Sequence, residues 1–143
     1  MGMTPAVEID QSQGLLVVVR FQRSPTDREF EQYLTDYGQL LLGRGARFGT
    51  VFVTAPQLPM VPARHARQQV DFVRNHRDAM AERVVCMAFA LPSPLMRGVL
   101  RGIMVLEPLP CPHTVVATES EGVSWVKARL WTDHVRRMKG AQA

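Results

Sequence analysis

Val84-Val85-Cys86-Met87-Ala88-Phe89-Ala90 is apolar from end to end, and only Leu91-Pro92 separates it from Ser93-Pro94. A strand with one wet face alternates polar and apolar residues; this run does not, so both of its faces are covered. Ser93 suits a helix N-cap, and Pro94 suits the first helical position, where a missing N–H costs nothing. A doubly covered strand feeding directly into a helix is the unit of a parallel α/β sheet.

The same grammar repeats on either side. Toward the N-terminus, Phe48-Gly49-Thr50-Val51-Phe52-Val53-Thr54 reads as a central strand, and Ala55 to Pro62, with Pro56, Pro59 and Pro62, as a loop. One long helix is expected from Ala63 to Glu82, with Ala66, Val70, Val73 and Met80 turned inward. Earlier still, Thr26 and Glu29 have the spacing of a capping box. Phe30, Tyr33, Leu34, Tyr37 and Leu41 then follow at helical spacing until Gly43 and Gly45 supply the stop. Val7 to Asp10 and the β-branched run Leu15 to Phe21 flank a polar turn at Gln11 to Gly14 and read as a hairpin. Toward the C-terminus, Leu95, Val99, Ile103 and Leu106 lie on one side of the Ser93 helix, which stops before Pro108. A proline-stiffened connector through Cys111 leads to a strand from His113 to Thr118. The last helix spans Glu121 to Arg137, with Val123, Val126, Leu130 and Trp131 inward.

The order β-β-α-β-α-β-α-β-α predicts a single-domain α/β sandwich over all 143 residues. It has about five strands in a mostly parallel sheet, an N-terminal hairpin and about four helices. Val53, Phe89 and Val116 are expected to be buried on central strands.

Composition excludes several classes of function. No stretch is long and apolar enough for a membrane span. Met1 to Asp10 lacks the basic and apolar regions of a secretory signal, and with only two cysteines a reducing cytoplasm is the expected compartment. The net charge of +4 comes from scattered residues, nearly all Arg, which reads as a solvated surface and not a nucleic-acid stripe. The densest basic face, Arg64 to Arg77, has no aromatic stacking platform beside it.

Catalytic and cofactor signals are weak. Neither a dinucleotide fingerprint nor a phosphate loop is present; Gly43-Arg44-Gly45 follows a helix, where such a loop would follow a strand. Cys86 lies mid-strand and is expected to be inert. Cys111, between Pro110 and Pro112, is expected to be the more reactive thiol, and with His113 it forms a nucleophile–base pair lacking a third member. His65 and His76 are too far apart along one helix to share an ion and read, with His113 and His134, as surface residues. Of Trp125 and Trp131, six apart on the last helix, one would pack and the other would be available to a partner. No cofactor and no metal are expected.

The most suggestive segment is the Ser93 helix itself. Its first turn follows a parallel strand, the usual place for anions and partners in α/β folds. Arg97 and Arg101 share one face, and Gly98 and Gly102 form a stripe that would let another element approach closely. Thr54 and Gln57 leave the preceding strand on the same rim if the two strands are neighbours.

The succession of elements resembles the STAS domain family, the sulfate-transporter and anti-sigma-factor-antagonist fold, in its stand-alone bacterial form. The hairpin ending in Leu15 to Phe21, the helix Phe30 to Leu42 and the strand Thr50 to Thr54 carry the likeness. So do the strand Val84 to Ala90 entering the Ser93 helix, and the terminal Val115 strand with its helix. The resemblance implies a non-catalytic signalling or scaffold domain that binds another protein, often a kinase-like one. In that family a Ser or Thr behind an Asp commonly starts the helix after the central strand and is phosphorylated. Here Val53-Thr54-Ala55-Pro56-Gln57 offers only Thr54 and no such Asp, which implies a lost or altered switch. The expected partner-binding residues are thus Thr54, Gln57, Ser93, Arg97 and Arg101. The alternative is a small-molecule or anion site at the Ser93 helix N-terminus with Arg97.

Overall fold

The structure is a computed structural model that describes residues 4–58 and 61–141. Its five strands are β1 (Val7–Gln13), β2 (Leu16–Phe21), β3 (Phe48–Thr54), β4 (Val84–Ala90) and β5 (His113–Val116). They lie side by side in sequence order, β1 antiparallel to β2 and every other pair parallel. The helices are α1 (Asp27–Gly43), α2 (Ala63–Asn75), α3 (Arg77–Arg83), α4 (Pro94–Leu106) and α5 (Glu119–Ala141).

That sequential order dictates the layers. Parallel crossovers are right-handed. Strands that are added always on the same side therefore carry their crossover helices on the same face. α1, α2 with α3, and α4 share that face, and α5 alone covers the other. Alternation along the strands builds one core on each side. Val17, Val19, Phe48, Phe52 and Met87 pack with α1 to α3, whereas Leu16, Val18, Val51, Ala88 and Val126 form the α5 side. The register slips between β3 and β4, where Phe48 pairs with Val84 but Gly49 with Cys86. The extra residue turns Val85 and Cys86 to the same side, a β-bulge.

The local signals at the helix starts are realised atom by atom. Thr26 Oγ1 accepts from Glu29 N–H at 3.2 Å, and the Glu29 carboxylate accepts from Thr26 N–H at 3.0 Å. Ser93 Oγ accepts from Met96 N–H at 3.3 Å, with Pro94 at the start of α4. The hairpin turns at Gly14, whose φ of 67° is the only positive one among the described residues. β1 runs on to Gln13, into the stretch expected as turn.

Several expectations are corrected. The helix expected from Ala63 to Glu82 is two helices, broken at His76. There the backbone leaves helical geometry (φ −115°, ψ 16°), and the imidazole folds back to bond Phe72 O at 2.9 Å and stack on the Phe72 ring. α1 does stop at Gly43, but through an extended Arg44 and not a left-handed glycine. β5 ends at Val116, two residues early. Val53, Phe89 and Val116 are only half-buried, near the C-terminal ends of their strands. Trp131, expected inward, is exposed, while Trp125 packs on the α5-side core. Cys111, expected to be the more reactive thiol, is buried like Cys86. Pro59, part of the expected loop, lies outside the described residues.

Candidate binding site

β3 and β4 are adjacent and parallel, so the segments leaving them share one rim, as their sequence positions require. Thr54 ends β3 half-buried, and Gln57 is exposed beyond it. Ser93 spends its hydroxyl on the α4 cap. The Arg97 guanidinium turns back onto the strand exit, donating to Leu91 O at 2.7 Å and to Pro92 O at 3.1 Å. It thereby fastens the first turn of α4 to β4. Arg101 is exposed one turn further on. Gly98 and Gly102 have nothing within 4 Å of where a Cβ would sit, so no element approaches along the glycine stripe.

The C-terminal end of α4 is fastened as well. Glu107 receives Arg74 and Arg77, each at 2.9 Å, which pulls its carboxyl below the ordinary range. Arg64 is paired with Asp27 at 2.7 Å. Much of the basic face from Arg64 to Arg77 is thus neutralised within the fold.

Between those two ends α4 stands off the sheet. None of its residues is buried, and its principal contact is with β5. Under it, bounded by α1 and α2, an apolar cavity of about 320 Å³ opens on the sheet. Phe21, Phe52 and Phe89 form its floor from three neighbouring strands, and Thr54 lines it at the rim. Phe52 and Phe89 stack with ring centres 5.1 Å apart. Sequence reading missed this site, although it held a signal: five of the six phenylalanines and both tyrosines line the cavity.

His65 also belongs to this wall and corrects the surface assignment. It is 2% exposed, stacked flat on Phe30 at 4.3 Å, with Nε2 2.9 Å from Asp27 Oδ1. This contact holds the Asp27 carboxyl below its ordinary value, with Arg64 adding to the effect. Nothing in the sequence spacing announces a contact between residues 38 positions apart.

The thiols are not poised for chemistry. Burial pushes Cys86 up to about 11 and Cys111 up to about 12. His113 Nδ1 sits 3.2 Å from the Cys111 carbonyl oxygen, not engaged with the thiol. Among the described residues no three His, Cys, Asp or Glu converge as metal ligands, and no helix is long and apolar enough to cross a membrane.

No family model matches the chain. No curated protein matches it either. A solved structure does: an uncharacterized protein of the DUF3478 family from Shewanella loihica PV-4, described as having a SpoIIAA-like fold. It superimposes with a TM-score of 0.62 at 14% identity, covering 87% of this chain and 99% of that one. An identity that low speaks for backbone architecture alone: this chain has the SpoIIAA-like, and so STAS-like, α/β fold.

Proposed function

We propose that the chain is a non-catalytic regulatory domain of the bacterial cytoplasm that binds another protein, with α4 as the contact element. The observation that carries this reading is an apolar helix without a buried residue. Leu95, Val105 and Leu106 are 69%, 79% and 84% exposed. A helix of such composition ordinarily lies against a partner surface, and clustered exposed apolar groups mark interaction sites. The charges on α4 are Arg97 and Arg101 alone, so the reading calls for a partner with an apolar groove and an acidic border facing Arg101. Thr54, Gln57 and Ser93 border that surface at the rim. The STAS-like fold supports the same class of function, a kinase-like or scaffold protein being the partner that the resemblance implies.

The test is capture from the native host with wild type and with Leu95→Asp/Leu106→Asp, two exposed positions whose change leaves the core alone. The double variant is expected to retain its melting temperature and to lose partner capture at least tenfold, about 1.4 kcal/mol. Equal capture by both proteins refutes the reading. A wild-type dimer in light scattering that the double variant abolishes replaces the partner by a second copy and refutes it too.

A further inference from the structure

The cavity under α4 is left unused by the protein-partner reading. It faces the inner side of α4, through Met96, Leu100 and Met104, whereas the proposed partner contact uses the outer side. Among the described residues its wall holds no Lys or Arg. Three of the polar groups it holds are already engaged, whereas the His65 Nδ1 is buried without a partner among the described residues. The Tyr37 hydroxyl pairs with Thr50 Oγ1 at 2.8 Å, Tyr33 donates to Gln69 at 3.3 Å, and Glu107 is held by two guanidinium groups. A charged ligand would lose its water here and find no counter-charge. A neutral apolar one would lose little and gain the faces of several aromatic rings. Methionines, which adapt their shape to what they touch, supply much of the remaining wall: Met80, Met87, Met96 and Met104.

Size narrows the class further. The cavity has a volume of about 320 Å³. A dry cavity of about 150 Å³ takes up benzene, so this one has room for about twelve non-hydrogen atoms. One end offers hydrogen bonding. Phe21 and Thr54 are register partners on β2 and β3, and Ser24 follows Phe21 in the next loop. Ser24 and Thr54 both line the cavity, so its hydroxyls gather toward the rim.

We propose that the cavity under α4 is a binding site for a neutral, elongated apolar molecule of about twelve non-hydrogen atoms, with a single polar group held near Ser24 and Thr54. The cavity shares Thr54 at the rim with the partner surface, but its wall leaves out Leu95, Val105 and Leu106.

The experiment titrates 1-decanol into the full chain by calorimetry, with decanoate and decylammonium as charged counterparts of equal length. One saturable site for 1-decanol is expected, with both ions at least tenfold weaker. Ala66→Phe, which puts a ring into the cavity from α2, is expected to weaken 1-decanol at least tenfold with an equal or higher melting temperature. Should that variant misfold, methyl spectra of the wild type decide. Ligand-induced shifts belong at Met80, Met87, Met96 and Met104 and not at Met138 on α5. Ser24→Ala/Thr54→Val is expected to weaken 1-decanol by roughly fivefold and to leave naphthalene unchanged. Absence of binding, equal binding of the ions, persistence in the Ala66→Phe protein, or shifts at Met138 each overturn the proposal.

Discussion

Gly49 and Val126 provide a quantitative check on how α5 is seated. A Cβ built at Gly49 would stand 2.6 Å from Val126 Cγ1 and 3.3 Å from Cys86 Sγ. Carbon atoms rest about 3.5–4.0 Å apart, so Gly49→Ala forces an overlap of about 1 Å. Val126 has no exposure and is a β-branched residue in a helix, held to one strongly preferred rotamer. It cannot turn away cheaply, and one turn earlier Gly122 already lies so close to β3 that a Cβ would meet Val51 at 2.9 Å. Overpacking of this kind costs about 1–3 kcal/mol, offset by the roughly 0.5–1 kcal/mol by which Ala outdoes Gly in a strand. A net loss of about 1–2 kcal/mol is expected. Val126→Ala alone removes the obstructing methyl and leaves a small void, for about 2 kcal/mol. In the double variant the new methyl of residue 49 occupies the space vacated at residue 126. The loss in the double variant should therefore fall short of the sum of the two single losses by about 1–2 kcal/mol, well above the roughly 0.3–0.5 kcal/mol scatter of independent sites. Urea unfolding of the four proteins reads this directly, provided that the slopes agree. Additivity within about 0.5 kcal/mol would show that α5 does not press on β3 at Gly49.

Three further outcomes concern the buried and paired groups. Both thiols should resist an aromatic disulfide reagent at neutral pH and react together once the chain is unfolded in denaturant, because burial holds Cys86 near about 11 and Cys111 near about 12; rapid native labelling of Cys111 would contradict its placement. In acid, Asp10 is held down to about 2 by Ser12 and Arg20, and Glu29 to about 2 by Arg23 and Thr26. A carboxyl depressed in the folded state stabilises fully above its unfolded value and loses that contribution as pH falls through its folded one. The melting temperature should then hold down to about pH 4 and drop between about pH 4 and 2. Arg23→Gln should raise the Glu29 titration seen by NMR, and an unmoved titration would refute the pairing.

The sequence made the strands and caps legible because their causes are local. An apolar run such as Val84 to Ala90 and a Thr26–Glu29 box act over a few residues, and the structure bears both out. What escaped depends on distant neighbours. The helical period continues smoothly through Phe72, His76 and Met80, so nothing in the pattern marks a break that rests on the His76 ring folding back onto Phe72. His65 looked like a surface residue because its partners, Asp27 and Phe30, belong to α1. Trp131 was expected inward because periodicity assigns a face but not the extent of what lies opposite. The 23 residues of α5 span about 35 Å, whereas the 7-residue strands span about 23 Å, and the helix outruns the sheet. The same gap hid the cavity: an amphipathic α4 shows which side is apolar, not whether the sheet comes close enough to meet it.

The sequential strand order also governs how the chain can assemble. Each parallel crossover joins strands that end up adjacent, so every new βα unit can dock on an edge already formed, closing a short loop at modest entropic cost. α5 is the exception. It folds back across β4, β3 and β2, and Arg20 meets Glu119 across 99 positions of sequence. Closing that face depends on contacts of long sequence separation, which are slow to form. The order of strands therefore divides the molecule in time as well as in space: one core can grow by accretion from the hairpin onward, and the other waits for the last helix.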